Sequence, residues 1–148
     1  MAPRRVLWLA KGLGLGGTEH RLTRALRHVD RARFEIDVAY VLPWKDALVP
    51  AIEAQGVPVH CLRGGAAFDL RWVLRLRRLV AERKYDIVHT LMPYPAIAAR
   101  LALHGVHLVH TEPNVWDAYR PFTAWANAAT YGSNGAVIAV SEAVAASV

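Results

Sequence analysis

The first chemistry that can be read from this chain lies in the run Gly12-Leu13-Gly14-Leu15-Gly16-Gly17. Gly12, Gly14 and Gly17 match the spacing G-x-G-x-x-G, in which glycines let the backbone approach a phosphate and unpaired N–H groups at a helix start point towards it. A dinucleotide would also require an acidic residue at the end of the second strand to hold ribose hydroxyls. That strand ends Tyr40-Val41-Leu42-Pro43, and Asp37, at about the right spacing, falls inside it. The loop is therefore expected to serve another phosphate ligand, through Gly14, Gly16 and Gly17, or to be a tight turn and nothing more. A second group follows later in the chain: His89, His110, Glu112, Asn114 and Trp116. Imidazole, carboxylate and amide groups can pair with hydroxyls, and an indole can stack on a sugar ring. Trp116 is a better ligand candidate than Trp125, because it sits beside Asn114, Asp117 and Tyr119 in one loop. His89 and His110 read equally well as strand residues satisfied by packing and a backbone partner. A third group is basic. Residues 69–84 carry a net charge of +4, and Arg71, Arg75 and Arg78 recur at i, i+4, i+7 beside a broad apolar face with Trp72 near its edge. Such a helix either presents arginines to an anionic lipid surface, with Trp72 at the interface, or is an ordinary solvated face.

These residues need elements to position them, and the apolar pattern supplies an alternation. Short runs apolar on both faces, as central parallel strands require, are expected at Arg4 to Ala10, Phe34 to Leu42, Val57 to Leu62, Asp86 to Thr90, His107 to Thr111 and Ala136 to Val140. Between them come helical patterns. The first is capped by Thr18, with Leu22, Ala25, Leu26 and Val29 on one stripe, and the second runs from Asp46 to Gln55 before Gly56. Others run from an Asp69 cap to about Lys84, from Pro93 to His104 before Gly105, from Ala118 to Tyr131, and onward from a Ser141 cap. Each parallel pair needs a crossover of about ten residues or more, which a helix provides. The expectation is one domain over residues 1–148, an α/β doubly wound, Rossmann-like parallel sheet of about six strands with helices on both faces. Ligand should then sit at the carboxyl ends of the strands, with the first and fourth strands adjacent where the strand order reverses. His89, the Gly16-Gly17 loop and the stretch from Glu112 to Trp116 are expected to converge there on one pocket.

Composition narrows the partners. With 148 residues, 54% hydrophobic and 20% charged, and a mean hydropathy of +0.18, the chain has apolar surface for one core and is not intrinsically disordered. The single cysteine, Cys61, cannot pair within the chain and has no neighbouring cysteines for a zinc cage, so no metal is expected. No apolar run approaches the length of a membrane span or a signal peptide, which places the protein in the cytoplasm. A net charge of +6 points to an anionic partner. No helix-turn-helix spacing, zinc-finger ligand set or aromatic sheet motif accompanies it, so nucleic acid is not expected.

Three stretches together carry a family resemblance: Gly16-Gly17-Thr18-Glu19 at the start of the first helix, Tyr85-Asp86-Ile87-Val88-His89-Thr90, and Ala136-Val137-Ile138-Ala139-Val140-Ser141-Glu142. In order and spacing the chain resembles the N-terminal half of a family-four retaining glycosyltransferase, one of the GT-B enzymes built from two Rossmann-like domains facing across a cleft. The resemblance implies an acceptor-binding domain, inactive in transfer without the C-terminal half that binds the nucleotide sugar. It implies no cofactor, a nucleotide-sugar donor as co-substrate, and a polar or lipid-linked acceptor. It would place Gly14, Gly16 and Gly17 opposite the donor diphosphate and make His89, His110, Glu112, Asn114 and Trp116 acceptor-binding. Peripheral contact with the inner face of an anionic membrane through Arg71, Trp72, Arg75 and Arg78 is expected, as is self-association through the exposed cleft face. These enzymes commonly have a histidine in a Thr-Glu-His-Asn setting, where this chain has Thr111-Glu112-Pro113-Asn114. Proline offers no side-chain donor or acceptor, so the catalytic residue is unknown, with His89 or His110 available nearby. The alternative is a free-standing Rossmann-like binding module without catalysis.

Overall fold

The computed structural model describes residues 2–65 and 69–148. Its six strands are β1 (Arg4–Ala10), β2 (Phe34–Tyr40), β3 (Val59–Cys61), β4 (Ile87–Thr90), β5 (His107–Glu112) and β6 (Ala136–Ala139). Its helices are α1 (Gly17–Ala25), α2 (Val49–Glu53), α3 (Arg71–Arg83), α4 (Pro93–Ala102), α5 (Pro121–Thr130) and α6 (Glu142–Ser147). The strands form one sheet in the order β3-β2-β1-β4-β5-β6, and every pairing is parallel. Rossmann-like architecture and the adjacency of β1 and β4 are as the sequence predicts.

Alternation along the strands divides the core between two faces. Val6 and Ala10 of β1 pack with Leu22 and Leu26 from α1 and the turn after it, and with Ile52 of α2. Leu7 and Leu9 pack on the opposite face with Trp72 and Leu76 of α3 and Ala99 of α4. Right-handed crossovers give this division. The β1-to-β3 connections go to one face, and the β3-to-β6 connections return along the other. The half-face of β4, β5 and β6 on the α1 side consequently receives no helix from these crossovers.

Several boundaries differ from the sequence reading for local reasons. Gly16 is the residue before α1, without a side-chain cap, and Thr18 lies inside the helix. Asp69 accepts from the Arg71 N–H at 3.1 Å, but Leu70 occupies the cap position of α3. The helix expected from Ala118 starts only at Pro121, because Tyr119 and Arg120 are extended, and a short 3-10 turn, Trp116–Ala118, precedes them. Leu103 is also extended, which ends α4 at Ala102. Gly56 closes the turn after α2 at φ of +74°, whereas Gly105, at +75°, lies beyond the end of α4 in the turn before β5; a side chain would strain the backbone at both. Ser141 caps α6 as expected, accepting from the Val144 N–H at 3.3 Å.

Candidate functional site

At the carboxyl edge of the sheet, where β1 and β4 diverge, a crevice of about 680 Å³ opens. Its walls come from four strand ends: Lys11 after β1, Leu42 after β2, Gly65 beyond β3, and Met92, Pro93 and Tyr94 after β4. The connection from β5 to α5 adds Tyr119, Arg120 and Thr123. Open parallel sheets bind ligands at such a switch point.

Each wall is held from behind. The Lys11 carbonyl accepts from the N–H groups of Val41 and Leu42, at 3.3 and 3.0 Å, which ties the β1 and β2 exits together. The ring of Tyr94 lies 5.6 Å from that of Trp72 between centroids, and the Lys11 ammonium sits 5.4 Å from the Tyr94 ring centre. Trp72 is only 2% exposed, so it is a core residue beneath Tyr94 and cannot serve as a membrane anchor, contrary to expectation. The hydroxyl of Tyr119 donates to Glu112.

Glu112 is wholly buried and is the centre of a network. Its carboxylate also accepts from Trp116 Nε1 at 3.0 Å and Asn127 Nδ2 at 3.2 Å, and His110 Nε2 stands 3.5 Å away. Burial pushes its pKa up, but the His110 imidazole beside it and the hydrogen bonds from Tyr119 and Asn127 outweigh burial and hold it below the usual carboxylate range. Burial and the bond to Glu112 both raise the Tyr119 phenol, which therefore remains a donor. Arg100 extends the network, donating to Asn127 Oδ1 at 2.7 Å and Asn134 Oδ1 at 3.0 Å. Asn127 thus passes the hold from α4 through α5 to the crevice wall.

The electrostatics of the crevice are one-sided. Lys11 and Arg120 are exposed and are the two charged residues of its lining. Neither forms an ion pair among the described residues. Met92 and Arg120 are the residues that precede α4 and α5, whose first turns carry no acidic side chain. The positive ends of both helix dipoles therefore add to the two cations.

The residues singled out in the sequence do not converge on one pocket. His110 and Glu112 lie on the α3 and α4 face and are fully buried, with His110 Nδ1 2.9 Å from Thr90 Oγ1. His89 lies on the opposite face, edge-on to Trp8 at 5.5 Å and 2.7 Å from Thr111 Oγ1. It lines a separate, mostly apolar groove of about 380 Å³ with Val6, Trp8, Ile87, Val109 and Ile138, closed on one side by His28, Val29 and Asp30 after α1. Burial, then the charge of His110, lower its pKa to about 4, so it is neutral at pH 7. Trp116 is half-buried against Tyr131 at 5.2 Å, and its backbone N–H donates to Ser147 Oγ at 3.3 Å. Asn114 is exposed and Pro113 is buried.

In the glycine loop, Gly12 and Leu13 are buried, and Leu13 exchanges backbone bonds with Lys45 and Leu48 at 2.6 and 2.8 Å. A Cβ on Gly12 would meet Lys45 at 2.7 Å, whereas one on Gly14 or Gly17 would meet open space. These two glycines leave room for an approaching ligand, at the same edge as the crevice but outside its lining. Asp37 is engaged inside the fold, accepting from Tyr85 at 2.5 Å with His60 Nε2 at 2.9 Å, so it is not a ribose ligand.

The profile of Glycosyltransferase Family 4 matches residues 15–148. The chain belongs to that family. Among curated proteins none matches the sequence. Solved structures resemble the fold of this family-four domain at low identity. One is assigned as a UDP-N-acetylglucosamine 2-epimerase from Listeria monocytogenes, with a TM-score of 0.75 and 20% identity over 97% of this chain and 41% of that one. Alr3699/HepE from Anabaena, in complex with UDP and glucose, gives 0.76 and 18% over 97% and 40%. MurG from Acinetobacter baumannii gives 0.66 and 18% over 95% and 43%. The family-four domain thus spans about two fifths of the length of these structures.

Lys11, Tyr94, Tyr119 and Arg120 were missed as site residues in the sequence. The available signal was position: Lys11 directly follows β1, and the other three lie just beyond β4 and β5, where an open sheet places its ligand.

Proposed function

We propose that this chain is the acceptor-binding domain of a nucleotide-sugar-dependent retaining glycosyltransferase and that it transfers no sugar alone. The observation that carries this reading is the crevice at the β1 and β4 divergence, walled by Lys11, Tyr94, Tyr119 and Arg120, in a family-four chain. Tyr119 gives a flat face and Tyr94 a hydroxyl suited to a saccharide, and the exposed Asn114 amide stands on the same edge. HepE, whose structure holds UDP and glucose, supports a nucleotide-sugar donor. The open space at Gly14 and Gly17 suits the diphosphate of that donor, approaching from across a cleft. Self-association through the uncovered cleft face belongs to the same proposal. Purified chain mixed with a panel of nucleotide sugars and saccharide acceptors should release nucleotide no faster than buffer. Turnover above that background would overturn the reading of an inactive half.

Peripheral contact with an anionic membrane at the cytoplasmic face is the second part of the proposal, with a changed set of residues. Arg75 donates to the Leu62 and Arg63 carbonyls at 2.9 and 3.0 Å, and Arg71 pairs with Asp69 at 2.9 Å. Both are engaged locally. Arg77 and Arg78 instead line a groove between α3 and α4 beside the exposed Leu74, a basic and apolar combination suited to a lipid surface. No helix among the described residues is long and apolar enough to cross a membrane. At about 1 kcal/mol per arginine near the surface, reversing Arg77 and Arg78 to Glu should lower co-sedimentation with anionic vesicles by about tenfold or more. Equal binding of wild type to neutral and anionic vesicles would overturn the contact.

A further inference from the structure

We infer that the ligand of the crevice carries a phosphate group, held by Lys11 and Arg120. This rests on the crevice being the acceptor-side site, and it adds a substrate class to that reading. The crevice holds about 680 Å³, enough for a phosphorylated sugar, and both charged residues of its lining are cations. A neutral saccharide gives no use for two cations held in one concavity without a carboxylate among them. An anionic group does, because each cation then donates a charge-assisted hydrogen bond that is roughly twice as strong as a neutral one. The remaining lining fits the rest of such a molecule. Tyr119 gives a face for a ring, Tyr94 a hydroxyl, and Thr123 a second hydroxyl on the first turn of α5.

Lys11 is suited to this role by the way it is mounted. Its carbonyl is fixed by Val41 and Leu42, so the backbone is placed, while its ammonium is steered over the Tyr94 ring at 5.4 Å. That cation–π contact keeps the charge inside the crevice. Arg120 is mounted in a similar way, its carbonyl accepting from the Ala124 N–H at 2.9 Å as α5 begins. Neither side chain is needed for the fold by any hydrogen bond or ion pair found among the described residues, and both are exposed. The phosphate could come from the acceptor or from the diphosphate of a nucleotide-sugar donor, and the two sources can be separated.

The test titrates the 148-residue chain at low ionic strength with three probes, glucose 1-phosphate, UDP and methyl glucoside, followed by amide chemical shifts. Shifts at Lys11, Tyr94, Arg120 and Thr123 with a phosphate probe are expected. The affinity should fall by about tenfold or more in the Lys11→Gln/Arg120→Gln double variant. Arg24→Gln, on the exposed side of α1, removes a charge elsewhere and should leave the affinity unchanged. Tighter binding of glucose 1-phosphate than of UDP identifies the acceptor as the source, and tighter binding of UDP identifies the diphosphate of the donor. The inference is overturned if phosphate probes bind the crevice no more tightly than methyl glucoside, or if the double variant binds as wild type does. Methyl glucoside bound there with indifference to both variants would remove the phosphate and leave the acceptor reading standing. UDP bound through both cations, with neither saccharide probe entering, would keep the phosphate and remove the acceptor reading.

Discussion

Replacing Glu112 with alanine is expected to cost about 3–5 kcal/mol of stability, since three buried or half-buried donors lose their common acceptor. Trp116 Nε1, Asn127 Nδ2 and the Tyr119 hydroxyl all point at this one carboxylate, at a site with no exposed surface. The loss should also loosen the crevice wall. Glu112 is a positioning residue, acting on a ligand only through Tyr119, which lines the crevice. Denaturant unfolding followed by circular dichroism measures the stability, and the Trp116 indole N–H chemical shift reports on the network directly. Tyr119→Phe should lose only one of these bonds, about 1 kcal/mol, and retain the Trp116 signal. A loss under about 1 kcal/mol in the alanine variant would mean that the network is incidental to the fold.

Stability should fall by about 3 kcal/mol as pH drops from 6.5 to 4, because His89 is folded in a neutral state. The sign follows from the depressed pKa. Below 6.5 the unfolded chain takes up a proton on this imidazole, while the folded chain resists until about 4. The unfolded state is therefore favoured across that window, and the loss levels off below it. Burial against Trp8 is the main cause, and the positive charge of His110 on the neighbouring strand adds to it. Asp37 and Glu112 carry lowered pKa values, so their contribution is present above the usual carboxylate range and is lost only at lower pH. Unfolding curves for wild type and His89→Gln at several pH values separate the two regimes. The variant keeps a polar partner for Thr111 but cannot titrate, so its stability should be flat between pH 6.5 and about 5, below which only the carboxylate decline remains. An equal decline in both proteins would show that the protonated imidazole is accommodated.

Strand alternation explains why the fold was legible and the site only partly so. Runs such as Arg4 to Ala10 and Phe34 to Leu42 are apolar enough on both faces to declare themselves as central strands, and the helical stripes between them require parallel pairing. Which face a polar strand residue occupies depends on register with its neighbour. Trp8 pairs with His89, and Thr90 pairs with His110, so the two histidines lie on opposite faces. No local pattern carries that information. By sequence Glu112 is the first loop residue, but its carbonyl accepts from the Val140 N–H at 3.3 Å, and the pairing with β6 carries it into the sheet. Trp72 shares its face with Leu76 one turn on, and both are buried against the sheet. Lys11, Tyr94 and Arg120 fall in no motif. They become a site only when three strand exits meet at one edge.

The central claim is that acceptor chemistry occurs in the crevice at the carboxyl edge and not in the apolar groove on the sheet face. A crystal structure of the chain with a bound saccharide or sugar phosphate tests it most directly. The ligand should lie against Lys11, Tyr94, Tyr119 and Arg120, with its ring on a tyrosine face. A ligand seated instead on Trp8, His89 and Ile138 would contradict the assignment and move the site to the opposite side of the sheet.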